Sequence, residues 1–175
     1  MAKQTWLIDP SHSEIQFKVK HLMITTVTGS FSDFTSSVES EGDDFEGASI
    51  SFSAGINSIS TGNEQRDEHL KSADFFDAAN FERLTFESTS FVKSGDEFQL
   101  EGNLTIRGNT HPVKLDVEYG GTVVDPYGQT KAGFELQGKI SRKAFGLTWS
   151  ALTEAGGAVV SDEVKIICAV QYVKQ

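Results

Sequence analysis

The feature that most limits how this chain can fold is a period of two. From Glu14 to His21 it reads E-I-Q-F-K-V-K-H, which sets Ile15, Phe17, Val19 and His21 on one parity against Glu14, Gln16, Lys18 and Lys20. Successive side chains of a β-strand point to opposite faces, so this is a strand with one wet side. The pattern recurs down the chain. Ala48, Ile50, Phe52, Ala54 and Ile56 alternate with small polar residues, and Leu84, Phe86, Ser88 and Ser90 share a face further on. Phe98, Leu100, Gly102, Leu104 and Ile106 follow, then Val113, Leu115, Val117 and Tyr119. Ala132, Phe134, Leu136, Gly138 and Ile140 form another set, and Val164, Ile166, Cys168, Val170 and Tyr172 the last. Residues 27–38 read as one further strand, with Gly29 a bulge or close-approach point and Phe31 facing in. Turn residues separate these runs at Asp9-Pro10-Ser11, Glu41-Gly42-Asp43-Asp44, Ser94-Gly95-Asp96, Arg107-Gly108-Asn109 and Asp125-Pro126-Tyr127-Gly128. A loop rich in small residues, 150–157, precedes the last strand. About eight long strands joined by short turns predict an all-β antiparallel sheet, and closure into a barrel is what spares such strands exposed edges.

One stretch, residues 60–86, breaks the rule. Asn63 is placed as an N-cap, Glu64 and Asp67 put negative charge in the first turn, and Leu70 and Ala73 can share a face. Phe75, Phe76 and Phe81 follow at once. A short helix trailing three phenylalanines needs an apolar surface, and the end of the barrel supplies one. The expectation is one domain, 1–175: an eight-stranded antiparallel barrel with one short α-helix closing an end.

The 175 residues suffice for a core without disulfides, and the single cysteine, Cys168, excludes an internal one. Fifteen basic and twenty-five acidic residues give a net charge of −10, which opposes nucleic acid and anionic membrane surfaces, and the basic residues are scattered rather than striped along the sequence. No apolar run reaches the length of a membrane span. The N-terminal residues lack the apolar centre of a secretory signal, so a cytoplasmic location is expected, or a periplasmic one if a leader has been removed. Thirteen of the eighteen aromatics are phenylalanine, suited either to an aromatic core or to a cavity for an apolar ligand.

Catalytic motifs are missing: there is no nucleophile elbow, phosphate loop or dinucleotide fingerprint. His12, His21, His69 and His111 form no pair at metal-ligand spacing. Arg66-Asp67-Glu68-His69 is either a polar group for a ligand's head or a solvated helix face with its capping network.

The residues then resemble a known family over nearly the whole chain. Trp6-x-Ile8-Asp9-x-x-His12-Ser13-x-Ile15-x-Phe17 with His21 leads into Val27-x-Gly29-x-Phe31-x-x-Phe34. Arg66-Asp67-x-His69-Leu70-x-Ser72-x-Asp74-Phe75-Phe76-Asp77 and Phe81 follow. Gly102-x-Leu104-Thr105-Ile106-x-Gly108-x-Thr110, Gly133-Phe134 and Ile140-x-Arg142-x-x-Phe145-Gly146 complete the set. Together these resemble the YceI-like polyisoprenoid- and lipid-binding family, with one departure: Glu82 stands where that family often carries proline. The resemblance implies a lipocalin-like barrel with an elongated apolar tunnel, a long-chain isoprenoid or fatty-acid-derived ligand, a possible homodimer and no established enzymatic activity; neither cofactor nor metal is expected.

On this reading the protein binds or carries a long amphiphilic lipid. Phe17, Val19, Phe31, Phe52, Phe86, Leu104, Leu115, Phe134, Ile166 and Cys168 are expected to line the tunnel. Phe75, Phe76 and Phe81 would close one end, with His21, His69 and Arg66 contacting a polar head. Two rival readings are an enzyme using His21 or His69 as general base on such a lipid, and a structural or stress-related interaction module whose interior is simply packed.

Overall fold

A computed structural model describes residues 3–42, 44–149 and 160–175. The small-residue loop expected at 150–157 lies outside them. The chain forms β1 (Lys3–Ile8), β2 (Glu14–His21), β3 (Thr25–Phe31), β4 (Phe34–Glu41), β5 (Asp44–Gly55) and β6 (Ile59–Ser60), followed by α1 (Glu64–Lys71). Five further strands complete it: β7 (Arg83–Ser94), β8 (Glu97–Ile106), β9 (Asn109–Val124), β10 (Thr130–Ser141) and β11 (Val160–Lys174). All pairings are antiparallel between neighbours, and β11 closes on β1. The ring β1-β4-β5-β7-β8-β9-β10-β11 is a closed eight-stranded barrel, as the alternation requires.

The first two staves of the barrel are each broken. β1 and β2 run end to end along β11, with Tyr172 opposite Ile8 and Cys168 opposite Ile15. The break is a 3-10 turn at Pro10–His12, capped by Asp9. β11 bridges it: Asp9 N–H donates to the Gln171 carbonyl at 2.8 Å, and Gln171 N–H to Ser13 Oγ at 3.0 Å. The second stave corrects the single strand expected over 27–38. β3 ends at Phe31 and β4 begins at Phe34, because the Asp33 carbonyl accepts from Gly55 N–H (2.8 Å) and its carboxylate meets Arg83 Nη1 (3.2 Å). Beyond that bend β4 pairs with β1 and β5, whereas β3 pairs with β2 and, through Ser30 and Phe31 alone, with β6. Gly29 is the close-approach point expected of it. A Cβ there would sit 2.2 Å from Phe17 Cζ.

The two ends of the barrel differ. At the end holding Lys3, Trp6, Phe45, Phe91, Phe98, Tyr119, Phe134 and Tyr172 form one aromatic cluster, with ring centroids from 4.5 Å (Phe91–Phe98, stacked) to 6.5 Å. Trp6 is fully buried and satisfies its Nε1–H on Ser40 Oγ at 3.1 Å. This cluster is a plug. At the other end lie α1, the loop after it and the β2–β3 hairpin. The helix is shorter than the stretch that announced it: Ala73 falls past its end and is exposed, so Leu70 alone turns its apolar face inward. Its cap is as expected, with Arg66 N–H donating to Asn63 Oδ1 at 3.0 Å.

Candidate functional site

Between the plug and the helical end the barrel encloses a cavity of about 200 Å³. Parity fills its wall with apolar side chains from nearly every stave, and α1 and its loop add Leu70, Phe75 and Phe76. A second void of about 40 Å³ shares Ile50, Leu100, Leu136, Val170 and Tyr172 with the first and reaches the foot of the plug. The wall residues Phe17, Val19, Phe52, Leu115, Ile166 and Cys168 are only partly buried, although their parity is inward. Inward residues that still meet solvent-sized space are the mark of an unfilled interior.

Polar residues on this wall are few, and Ser36, Tyr172 and Arg142 among them are held by the protein itself. Ser36 Oγ donates to the Ser51 carbonyl at 2.6 Å and lies 2.8 Å from the Tyr172 hydroxyl. Burial pushes the Tyr172 hydroxyl up to about 12 and the Cys168 thiol up to about 11, so both stay protonated at neutral pH. Arg142 is 3% exposed. Its Nε donates to the Ser161 carbonyl (2.9 Å), Nη1 to those of Leu147 (2.6 Å) and Trp149 (2.7 Å), and Nη2 to that of Val160 (3.1 Å). The guanidinium lies 5.9 Å from the Phe75 ring centre. Desolvation lowers its pKa, partly offset by Asp162, yet four carbonyl acceptors keep the charge solvated. Arg142 therefore ties both flanks of the 150–159 segment to the rim. The sequence carries no signal for that role.

The helical end is held just as closely. Phe75 N–H donates to the Ser72 carbonyl and Phe76 N–H to that of Leu70, both at 3.0 Å. Arg107 Nη1 reaches the Phe75 and Gly146 carbonyls at 3.1 Å each. Phe76 then packs edge-on to Phe31 at 6.2 Å, and Phe31 against Phe17 at 5.8 Å.

Of the sixteen residues singled out from sequence, the structure brings eleven to the cavity wall: Phe17, Val19, Phe31, Phe52, Phe75, Phe76, Phe86, Leu104, Leu115, Ile166 and Cys168. Five stand elsewhere. Phe134 belongs to the plug and lines the small void. Phe81 lies against Gly108, where a glycine Cβ would sit 2.9 Å from its ring. His21 has the inward parity, but it is the last residue of β2, paired with Val160 at the mouth, and its side chain is exposed. Arg66 is exposed and spends its guanidinium on Thr61, Nε to Oγ1 and Nη2 to the carbonyl, both at 2.7 Å. His69 bonds Asp74 Oδ2 at 2.9 Å and packs edge-on to Phe75 and Trp149, at 5.1 and 4.8 Å. It braces the outer side of the wall. Leu84, Leu100, Ile106, Val113, Leu136 and Ile140 also line the cavity; their parity was legible, and only their selection as site residues was missed.

The other histidines are equally committed. His12 Nδ1 lies 2.8 Å from Asp9 Oδ2, and that contact, with Ser11 and Lys131, holds the Asp9 carboxyl well below the usual carboxylate range. His111 packs edge-on to Phe145 at 5.2 Å.

Comparison with known proteins agrees with this geometry. A family model described as YceI-like domain matches residues 6–172. Protein YceI of Salmonella newport is 38% identical over 164 residues, covering 94% of this chain and 83% of that protein. Among solved structures, BcnA of Burkholderia cenocepacia superposes with a TM-score of 0.81 at 22% identity, covering 94% of this chain and 98% of that one. A polyisoprenoid binding domain from Saccharophagus degradans gives 0.69 at 15% identity, covering 97% and 98%. At these identities the two structures establish the shared barrel fold.

Proposed function

The chain belongs to the YceI-like family, and on that premise we propose that it holds one long-chain amphiphilic lipid in the barrel cavity, tail toward the plug. The ligand class is a polyisoprenoid, a quinone-like isoprenoid or a fatty-acid derivative. One observation carries the reading: the cavity wall is apolar, and the polar groups on it are already bonded to the protein. Such a wall recognises chain length and girth rather than a head group. Each buried methylene contributes roughly 0.8 kcal/mol, so a chain needs no polar anchor to stay. An empty apolar cavity of this size costs the fold about 5 kcal/mol at ~24 cal/mol per Å³, a cost that a bound chain relieves. The name of the Saccharophagus degradans domain, which describes polyisoprenoid binding, supports the same class.

The eleven wall residues named above are the proposed chain contacts. The head is left at the helical end. The reading is of a binding protein rather than an enzyme, because His21 and His69, the bases that an enzyme would need, lie off the wall that a ligand touches. Native mass spectrometry of the protein purified from its own host, with lipid analysis of an organic extract, tests it. A stoichiometric long-chain isoprenoid or acyl compound is expected. A ligand-free mass that persists after incubation with a panel of such lipids would make the barrel a packed-core module instead.

A further inference from the structure

The lysines are dispersed in sequence, but the sheet gathers some of them. Register places Lys18 on β2 opposite Lys165 on β11, and Lys165 opposite Lys139 on β10, with Lys20 next on the same face of β2. Like charges directly opposite one another weaken a sheet, so folding alone gives no reason for this row. Glu163 is the neighbouring acid, its Oε1 3.8 Å from Lys139 Nζ. Asp162, also near, spends its carboxylate on Ser141 Oγ and Lys143 N–H. The acids of the two flanking strands, Glu14 and Glu135, stand four residues further toward the plug.

Beside this row the β2–β3 hairpin ends in Leu22, Met23 and Ile24, which are 39%, 61% and 77% exposed. Leu22 and Met23 hold φ of +52° and +59°, a turn conformation that ordinarily takes glycine or asparagine. Three consecutive large apolar residues are thus held in solvent, two of them in a strained backbone. Ile24 lies seven residues from Phe31, where β3 leaves its pairing with β6, roughly 23 Å along the strand, and the turn at residues 22–24 extends beyond the His21–Val160 pair. Val19 and Val164, paired just below the tip, line the cavity.

We propose that this rim docks on an anionic lipid bilayer, with Leu22, Met23 and Ile24 among the acyl chains and the Lys18-Lys20-Lys165-Lys139 row over the headgroup phosphates. The proposal rests on the lipid-binding reading, since it brings the cavity rim against the phase that holds the chain. Charge complementarity selects the partner. Part of the net charge of −10 is remote from the rim: acids at the plug end, such as Glu39, Glu41 and Glu46, lie well beyond the Debye length of about 8 Å. The acids of α1 and its loop (Glu64, Asp67, Glu68, Asp74 and Asp77) are nearer the rim, but the helix packs against β6, separated by β3 from the row, and Asp67, Asp74 and Asp77 bond Thr61, His69 and Asn80. Among the described residues no helix is long and apolar enough to cross a membrane.

The test is flotation of the lipid-stripped full chain with vesicles of phosphatidylcholine alone or mixed with phosphatidylglycerol. A fluorescent apolar probe added without vesicles reads the cavity independently. Flotation is expected with the anionic vesicles, weakening with salt, and falling about fivefold for each of Lys18→Gln and Lys165→Gln. Met23→Ser with Ile24→Ser is expected to abolish it without touching probe uptake. Equal flotation by all variants, or none with either vesicle while the probe still enters, would overturn the docking and leave the cavity reading intact. Unchanged flotation with a loss of dimer in sedimentation would overturn it too, giving the tip to a second copy of the chain. Loss of probe uptake with flotation preserved would strike the cavity reading and sustain the docking.

Discussion

Gly29→Ala separates an empty cavity from a packed core in one substitution. Gly29 has no left-handed φ, so alanine fits its backbone, and the lost flexibility of the unfolded chain stabilises by about 0.4–1 kcal/mol. Against that gain, the new Cβ meets Phe17 Cζ, Cε1 and Cε2 at 2.2, 2.6 and 2.8 Å. Ordinary contact requires the ring to withdraw by roughly 1 Å or more, and the far side of that ring is the cavity. If that space is free, Phe17 turns into it, and overpacking of about 1–3 kcal/mol shrinks to a net change near 1 kcal/mol or less. For a barrel of this length the melting temperature then moves by only about 2–4 °C. A bound chain removes the refuge, so the same substitution should weaken long-chain binding by about tenfold or more, or about 1.4 kcal/mol. Gly102→Ala is the control. There the Cβ meets the Glu87 carbonyl oxygen at 2.5 Å as well as the Phe86 ring, and backbone cannot turn away. It should destabilise the stripped protein by about 2–3 kcal/mol. The assays are thermal unfolding of the stripped protein and titration with a fluorescent fatty acid. A stripped Gly29→Ala protein as destabilised as Gly102→Ala, or one that folds and binds with unchanged affinity, would refute the argument that Phe17 borders free space.

Phe52→Trp should block long-chain ligands while the fold survives, whereas Phe134→Trp, in the plug, should lower stability with much less effect on affinity; competition binding beside thermal unfolding distinguishes the two. Arg142→Met should cost about 3 kcal/mol or more in urea unfolding, because four carbonyls lose their donor, and Arg142→Lys should recover little of it. Asp9, its carboxyl pKa depressed first by His12, stabilises the fold fully above the unfolded carboxylate pKa of about 4 and loses that contribution as pH falls further. Asp9→Asn should therefore be less stable at neutral pH and lose less on acidification below pH ~4, a difference that chemical denaturation at both pH values measures.

The fold was legible because period two survives wherever one side of a sheet is wet. Ile15, Phe17 and Val19 were assigned inward by parity alone, and all three line the cavity. Parity failed where its assumption failed. His21 keeps the inward phase, but it is the last residue of β2, at the mouth of the barrel, where inward no longer means enclosed. Phe134 is inward too, yet depth along the barrel depends on stagger between strands, which no single strand encodes. The break between β3 and β4 was missed because its cause is tertiary: Asp33 bonds Gly55 and Arg83, far along the chain. The basic row was invisible for the same reason, as Lys18 and Lys165 meet only through register. Arg66 and His69 sit in a dense polar motif, but their partners, Thr61 and Asp74, are local. Their density reflected loop construction.

The aromatic plug makes the barrel a blind sleeve, and a blind sleeve is a ruler. With the far end plugged, chains that enter from the helical end lie with one polarity and stop at one floor. Whatever exceeds the sleeve's depth stays outside, and the head group of a short guest is drawn further in than that of a long one. Selection by length is thus set by how far Phe134 and Phe45 stand from the rim. Trimming either ring would reset the scale, admitting a longer tail without altering any residue at the entrance.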